Sequence, residues 1–226
     1  MKNTVKVIAS IFVAAVVFAG CTKTQNSSAT SAFGKSKKND YLTVVSKKSP
    51  MKTGADSNLD LVTADTIYKN EKTKVERKTY EAFLELQASL KSKGIEIGID
   101  SAYRSFAEQE QVMQDFIKKY GEEYARKTVA APGTSEHHTG LAIDIVPKVN
   151  GEWVSENADM LELPELFGVI HMELPRFGFI LRYPYGKEAI TGCSYEPWHI
   201  RYIGNKKIAQ TLLDEDLALE EYLSSK

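Results

Sequence analysis

The sequence predicts an α+β domain, a small and mainly antiparallel sheet flanked by helices. Three observations point there. Val75, Thr79, Phe83, Leu86 and Leu90 fall on one helical face, and Ile95, Ile97 and Ile99 alternate with polar or small residues as a half-buried strand does. The remaining helical stretches are mixed with short β-prone runs joined by loops, a pattern of α+β rather than of regular βα repeats.

Taken in order, Tyr41–Val45 reads as a short strand, followed by a loop containing Pro50 and Gly54. The first helix starts near Lys74 and stops at Gly94, a residue suited to the left-handed cap. After the isoleucine strand, Ser105 and Glu108 form a capping box that opens a helix carrying Phe106, Val112, Met113, Phe116 and Ile117. A further helix covers about Glu122 to Val129, and Pro132-Gly133 ends regular structure. Leu141 to Val146 reads as a strand stopped by Pro147, with a polar excursion around Asn150-Gly151. A helix is expected over Pro164–Pro175, strands over Phe179–Leu181 and Tyr195–Tyr202, and one or two helices over Asn205–Leu223.

The first residues are set aside from the fold. Lys2 and Lys6 precede an apolar run, Val7 to Phe18, broken only by Ser10 and ending in Phe18-Ala19-Gly20-Cys21. The run is short for a membrane span, and small residues just before a cysteine mark a bacterial lipoprotein signal with Cys21 as the lipidated residue. Phe18 departs from the usual Leu. A cleaved signal peptide or an uncleaved anchor are the other readings, and all three place the remainder outside the cytoplasm. The expected organisation is a signal over 1–20, a flexible tether over 21–40 rich in Ser, Thr, Lys, Asn and Gln, and one domain over 41–226.

At 42% hydrophobic and 26% charged residues, the 226-residue chain has an ordinary globular composition. Its net charge of −1, with dispersed Lys and Arg, speaks against a nucleic-acid partner. Cys21 and Cys193 are the only cysteines, so a lipidated Cys21 leaves no disulfide to form.

Two segments carry chemistry: Ser135-Glu136-His137-His138-Thr139-Gly140-Leu141-Ala142-Ile143-Asp144, and Glu196-Pro197-Trp198-His199. Together they offer two imidazoles and a carboxylate for a metal, plus a spare carboxylate. Three protein ligands with an open fourth position is the arrangement of catalytic zinc, and the spare carboxylate is the proton acceptor that a metal-bound water needs. Gly140 and Ala142 are small enough for a tight turn or a close approach. His138 is an alternative ligand to His137. Pro197 distorts the chain so that Glu196 and His199, three apart, turn toward one site, while Trp198 faces away or walls the pocket. His171, in an apolar helical segment, reads as a satisfied histidine. Arg104 stands at a strand-to-helix junction where its guanidinium fork can aim at an oxyanion, a surface ion pair being the plainer reading. Cys193 with His199 invites a cysteine-peptidase reading, but an inert buried thiol is preferred.

These segments resemble the VanY-type D-alanyl-D-alanine carboxypeptidase family, zinc peptidases related in fold to lysostaphin-type enzymes and the hedgehog signalling domain. Ser135, His137, Gly140, Ala142 and Asp144 meet its S-x-H-x-x-G-x-A-x-D pattern, and Glu196, Trp198 and His199 its E-x-W-H. Tyr103, Arg104, Ser105 and Gln109 meet its Y-R-S segment with a following glutamine. Smaller likenesses lie at Phe177-Gly178-Phe179, Leu181-Arg182-Tyr183-Pro184 and Arg201-Tyr202, and order and spacing agree over about 41–223. His138 stands where Gln is common, and the stretch from Val146 to Phe177 is longer than usual.

The resemblance implies one zinc ion held by His137, Asp144 and His199, with Glu196 as general base and Arg104 stabilising the oxyanion. It places Ser135, Gln109 and Trp198 at the substrate side. The implied activity is removal of the terminal D-Ala from peptidoglycan stem peptides by a lipid-anchored, extracytoplasmic monomer. An L,D-carboxypeptidase acting on the tetrapeptide shares every motif. A zinc-bearing binding module without activity and a wall endopeptidase are the remaining alternatives; the presence of Glu196 and Arg104 speaks against the former.

Overall fold

A computed structural model describes residues 40–226. The expected signal over 1–20, Cys21 and all but the last residue of the tether lie outside the described residues. Among the described residues no helix is long and apolar enough to cross a membrane.

The element order is β1 (Leu61–Asp65), β2 (Lys72–Glu76), α1 (Arg77–Ser92), β3 (Glu96–Ser101), α2 (Phe106–Tyr120), α3 (Glu122–Thr128), β4 (Ala142–Val149), β5 (Glu152–Trp153), α4 (Asn157–Leu161), α5 (Pro164–Glu173), β6 (Phe179–Leu181), α6 (Glu188–Thr191), β7 (His199–Tyr202), α7 (Lys206–Asp214) and α8 (Leu219–Ser224). β1 and β2 pair as an antiparallel hairpin, and the main sheet runs β3-β4-β7-β6, every pair antiparallel, with β5 folded back on β4. The expected sheet flanked by helices is what the chain forms.

The helical stripe lands as expected: Thr79, Phe83, Leu86 and Leu90 are the buried residues of α1. They pack against Ile97, Ile99, Ile143, Ile145 and Ile200 from the sheet, and Phe167, Ile170 and Leu174 close the same core from α5 and the turn after it. Val75 belongs to β2, because Glu76 caps α1 through its carboxylate, which accepts the Thr79 backbone N–H at 2.8 Å. The capping box of Ser105 and Glu108 is present in full.

Four expectations need correction. Tyr41–Val45 joins no ladder, because the carbonyls of Tyr41 and Thr43 accept from the Arg201 guanidinium instead. The β1–β2 hairpin stands where a loop and the first turn of a helix were expected. β4 runs through Pro147, whose carbonyl accepts the Val154 N–H at 3.0 Å. Pro147 has no N–H to return, so the β5 pairing ends after two residues. Finally, only His199–Tyr202 of the last expected strand is extended ladder; Glu196–His199 is a turn closed by the His199 N–H on the Glu196 carbonyl at 3.2 Å. The polar excursion is a tight hairpin in which Asn150 and Gly151 both take positive φ, 51° and 89°.

Candidate metal centre

Pro132-Gly133 leads into a 3-10 segment, Glu136–Thr139, capped at its start by Ser135, whose Oγ accepts the His137 N–H at 3.4 Å. Gly140 ends it with φ 70°, the left-handed region that favours glycine. Space makes the same demand: a Cβ on Gly140 would lie 3.0 Å from Leu61 Cδ2 and 3.2 Å from the Glu76 nitrogen. The chain then enters β4, and Asp144 follows within three residues.

Register does the rest. Asp144 sits directly opposite His199 across the β4–β7 pair, so both side chains leave the same face of the sheet. On the other edge Asp144 pairs with Ser101, just past a bulge in which Asp100 is the extra residue of β3. His137 Nε2 lies 3.1 Å from Asp144 Oδ2, and His199 Nδ1 lies 2.9 Å from Asp144 Oδ1. One ligand atom from each of the three side chains falls within 4.8 Å of the others. The expected triad comes together, and His138 is not part of it.

This donor set fits zinc. Two imidazole nitrogens and one carboxylate oxygen converge from a buried wall, the ligand complement of hydrolytic zinc sites. The far nitrogen of His137 is already committed: Nδ1–H donates to the Ala102 carbonyl, which leaves Nε2 and its lone pair facing Asp144. Burial lowers the pKa of His137, with Asp144 opposing. It would do the same to His199, but Asp144 and Glu136 outweigh it and hold that ring up at about 9 in the metal-free protein. Asp144 is held well below the usual carboxylate range by the two rings against the penalty of burial.

Glu196 reaches the same point from the turn before β7. Pro197 occupies the second position of that turn, where its fixed φ belongs, and the Glu196 carboxylate ends 3.8 Å from His199 Nδ1. Burial lifts its carboxyl to about 7 in the metal-free protein, His199 opposing and Asp144 reinforcing the rise. The turn is braced by His171, whose Nε2–H donates to the Pro197 carbonyl at 2.9 Å. His171 is therefore satisfied, as the sequence suggested.

The D-alanyl-D-alanine carboxypeptidase (VanY) family model matches residues 72–205, which contain all these side chains. The chain belongs to the VanY family. Among relatives, the Bacillus subtilis protein YodJ is 38% identical over 173 residues, covering 72% of this chain and 60% of that protein, so the chain spans less than two thirds of it. Among solved structures, the LdcB LD-carboxypeptidase matches with TM-score 0.69 and 32% identity over 81% of this chain and 86% of the other. VanYB in complex with D-alanine-D-alanine matches with TM-score 0.67 and 29% identity, over 82% and 98%. A mutant of the vancomycin resistance D,D-pentapeptidase VanY, in complex with Zn(II), matches with TM-score 0.65 and 29% identity, over 82% and 99%.

The remaining VanY-motif residues divide between the site and its support. Arg104 has its backbone pinned twice, its N–H on the His137 carbonyl at 3.2 Å and its carbonyl accepting from His138 Nδ1 at 2.7 Å. Its guanidinium donates to Gln109 Oε1 at 2.8 Å and Ser101 Oγ at 2.9 Å. Gln109, 1% exposed, spends its amide N–H on the Ala130 carbonyl, so it backs Arg104 rather than facing a substrate. Ser135 caps the His137 segment. Trp198 packs in the main core, where the tryptophan anchors the turn. Cys193 is half-buried, and burial raises its thiol pKa, the opposite of what a nucleophile needs.

Three contributors escaped the sequence reading. Tyr183 lays its ring against His199, centroids 4.8 Å apart. Asp100 accepts the Tyr68 hydroxyl at 2.6 Å beside the site. Glu136, inside the first motif, is fully buried between Arg182 and Arg201; its burial is set by residues remote in sequence.

His138 explains the Gln usual at its place. Its Nδ1–H reaches the Arg104 carbonyl, its Nε2 accepts the buried Gly133 N–H at 2.9 Å, and its ring stacks on Phe106 at 4.2 Å. A carboxamide also has one donor and one acceptor end. His138→Gln is therefore expected to retain stability, whereas His138→Phe leaves both backbone groups unpaired and costs about 1–3 kcal/mol. Urea unfolding of the two variants checks this, and equal stability would remove the clamp.

Proposed function

We propose that this chain is a zinc-dependent carboxypeptidase that removes the C-terminal D-Ala from peptidoglycan stem peptides. The observation that carries it is the convergence of His137, Asp144 and His199, with the Glu196 carboxylate 3.8 Å from a ligand nitrogen and not needed as a ligand itself. Zinc, when bound there, supplies a lowered water pKa and a Lewis acid for the scissile carbonyl. The protein's part is to move protons and balance charge. Glu196 Oε2 takes the proton of the attacking water and returns it to the departing amine of the terminal residue. Arg104, its fork fixed by Ser101 and Gln109, offsets the negative charge that develops on the carbonyl oxygen, a stabilisation that is preorganised because the guanidinium is already held. The likeness to VanYB with D-alanine-D-alanine supports the D,D specificity. The L,D alternative has its own support in the likeness to LdcB.

Purified residues 40–226, given pentapeptide and tetrapeptide muropeptides with and without chelator, are expected to shorten the pentapeptide by one alanine only when zinc is present. Trimming of the tetrapeptide alone, read by mass, would move the assignment to L,D. Glu196→Gln is expected to keep one zinc per chain while turnover falls at least about a hundredfold; near-native turnover would remove the assigned base.

Export and anchoring form part of the same reading, supported by the Lys2 to Cys21 pattern. The enzyme works outside the cytoplasm, tethered through a lipidated Cys21. Cys21→Ala in the full chain is expected to abolish incorporation of a labelled fatty acid; unchanged labelling would sink the lipidated cysteine.

A further inference from the structure

Beneath the metal ligands lies a cluster of charges that the proposed reaction does not use. The Glu136 side chain is completely buried, and both arginines that hold it, Arg182 and Arg201, are at most 1% exposed. Arg182 Nε donates to Glu136 Oε1 at 2.7 Å and Arg201 NH1 lies 2.9 Å from the same oxygen. Arg182 also grips Glu220 through both terminal nitrogens, at 2.9 and 2.6 Å. Such a cluster is a poor source of stability, because desolvating the ions offsets most of their attraction and apolar side chains of the same volume do as well. What apolar side chains cannot provide is a hydrogen-bond acceptor.

Both arginines address the same carboxylate oxygen. The other, Oε2, is buried without a hydrogen-bond partner. So are His199 Nε2 and Arg201 NH1, the latter in ion-pair contact with Oε1 but without a hydrogen bond, and Oε2 and His199 Nε2 face each other 3.9 Å apart. The backbone explains why they meet. Alternation along β7 sends His199 and Arg201 to one face and Ile200 to the core, while Glu136 immediately precedes His137 in the 3-10 segment. The residue that anchors Glu136 and the ring it addresses are thus neighbours on one strand.

We infer that Glu136 is the positioning residue for His199: its Oε2 accepts the His199 Nε2–H, fixing the tautomer whose Nδ1 lone pair is turned toward Asp144 and the metal. The role requires the 3.9 Å separation to shorten by about 1 Å to hydrogen-bond range when the metal is held. The two arginines serve this role by holding the carboxylate immobile through its other oxygen. His137 has its own counterpart in the Ala102 carbonyl, so each imidazole is steered from its far nitrogen, one by a neutral acceptor and one by a charged acceptor. The inference rests on the zinc reading of the site.

The test compares two carboxylates that share Arg182. Zinc dissociation constants are measured by competition with a chromogenic chelator for wild type, Glu136→Gln and Glu220→Gln. Glu136→Gln is expected to bind zinc about 10- to 100-fold more weakly, and Glu220→Gln to match wild type although it loses a partner of the same arginine. Wild-type affinity in Glu136→Gln, or equal weakening in both variants, would overturn the role. Should Glu136→Gln fail to fold, nitrogen-15 spectra of the zinc-loaded wild type decide: a hydrogen-bonded proton on His199 Nε2 supports the role, and a proton on Nδ1 overturns it. Wild type that takes up no zinc would sink the metal reading itself and this inference with it, an outcome distinct from any difference between variants.

Discussion

The pairing of β4 with β7 is the constraint on which this site depends. Setting Asp144 opposite His199 gives a carboxylate and an imidazole a common face before any side chain chooses a rotamer. A slip of one residue would send one of them into the isoleucine core, where an unpaired carboxylate is untenable. The register is held by bulk: Ile143, Ile145 and Ile200 fill the opposite face against α1 and α5, so moving the polar side would expose the apolar one. Packing energy on one side of the sheet is thereby converted into precision on the other.

Around that pair the chain adds its remaining groups through short rigid devices. The 3-10 turn brings His137, with Ser135 closing its start and Gly140 its end. A proline turn brings Glu196, braced by His171 and by Trp198 in the core. The segment after β3 brings Arg104, its N–H bonded to the His137 carbonyl and its carbonyl to the His138 ring. None of these groups hangs from a long loop, which is the condition for holding a catalytic constellation in place.

The sequence disclosed what is local. The S-x-H-x-x-G-x-A-x-D and E-x-W-H segments each carry their own turn chemistry, and the Ser105–Glu108 capping box is complete within four residues. It concealed what depends on distant partners. β1 and β2 each lack a strong apolar alternation; only Ala64 in β1 and Val75 and Glu76 in β2 are buried, and the hairpin is stabilised by α1 rather than by its own pattern. Trp198 reads equally well as a pocket wall or a core anchor until the sheet is formed. Glu136 looks like an exposed acid beside two histidines, because nothing nearby announces that Arg182 and Arg201 will enclose it.

Those arginines also redraw the boundary of the autonomous unit. Arg201 lies within the family-matching stretch 72–205, yet one terminal nitrogen of its guanidinium donates to the carbonyls of Tyr41 and Thr43, some thirty residues before that stretch begins. Arg182 leans on Glu220, beyond its other end. A fragment trimmed to the shared motif would take outside partners from two interior cations at once and leave Glu136 as the carboxylate both share. The portion recognisable by ancestry is smaller than the portion its buried charges draw on.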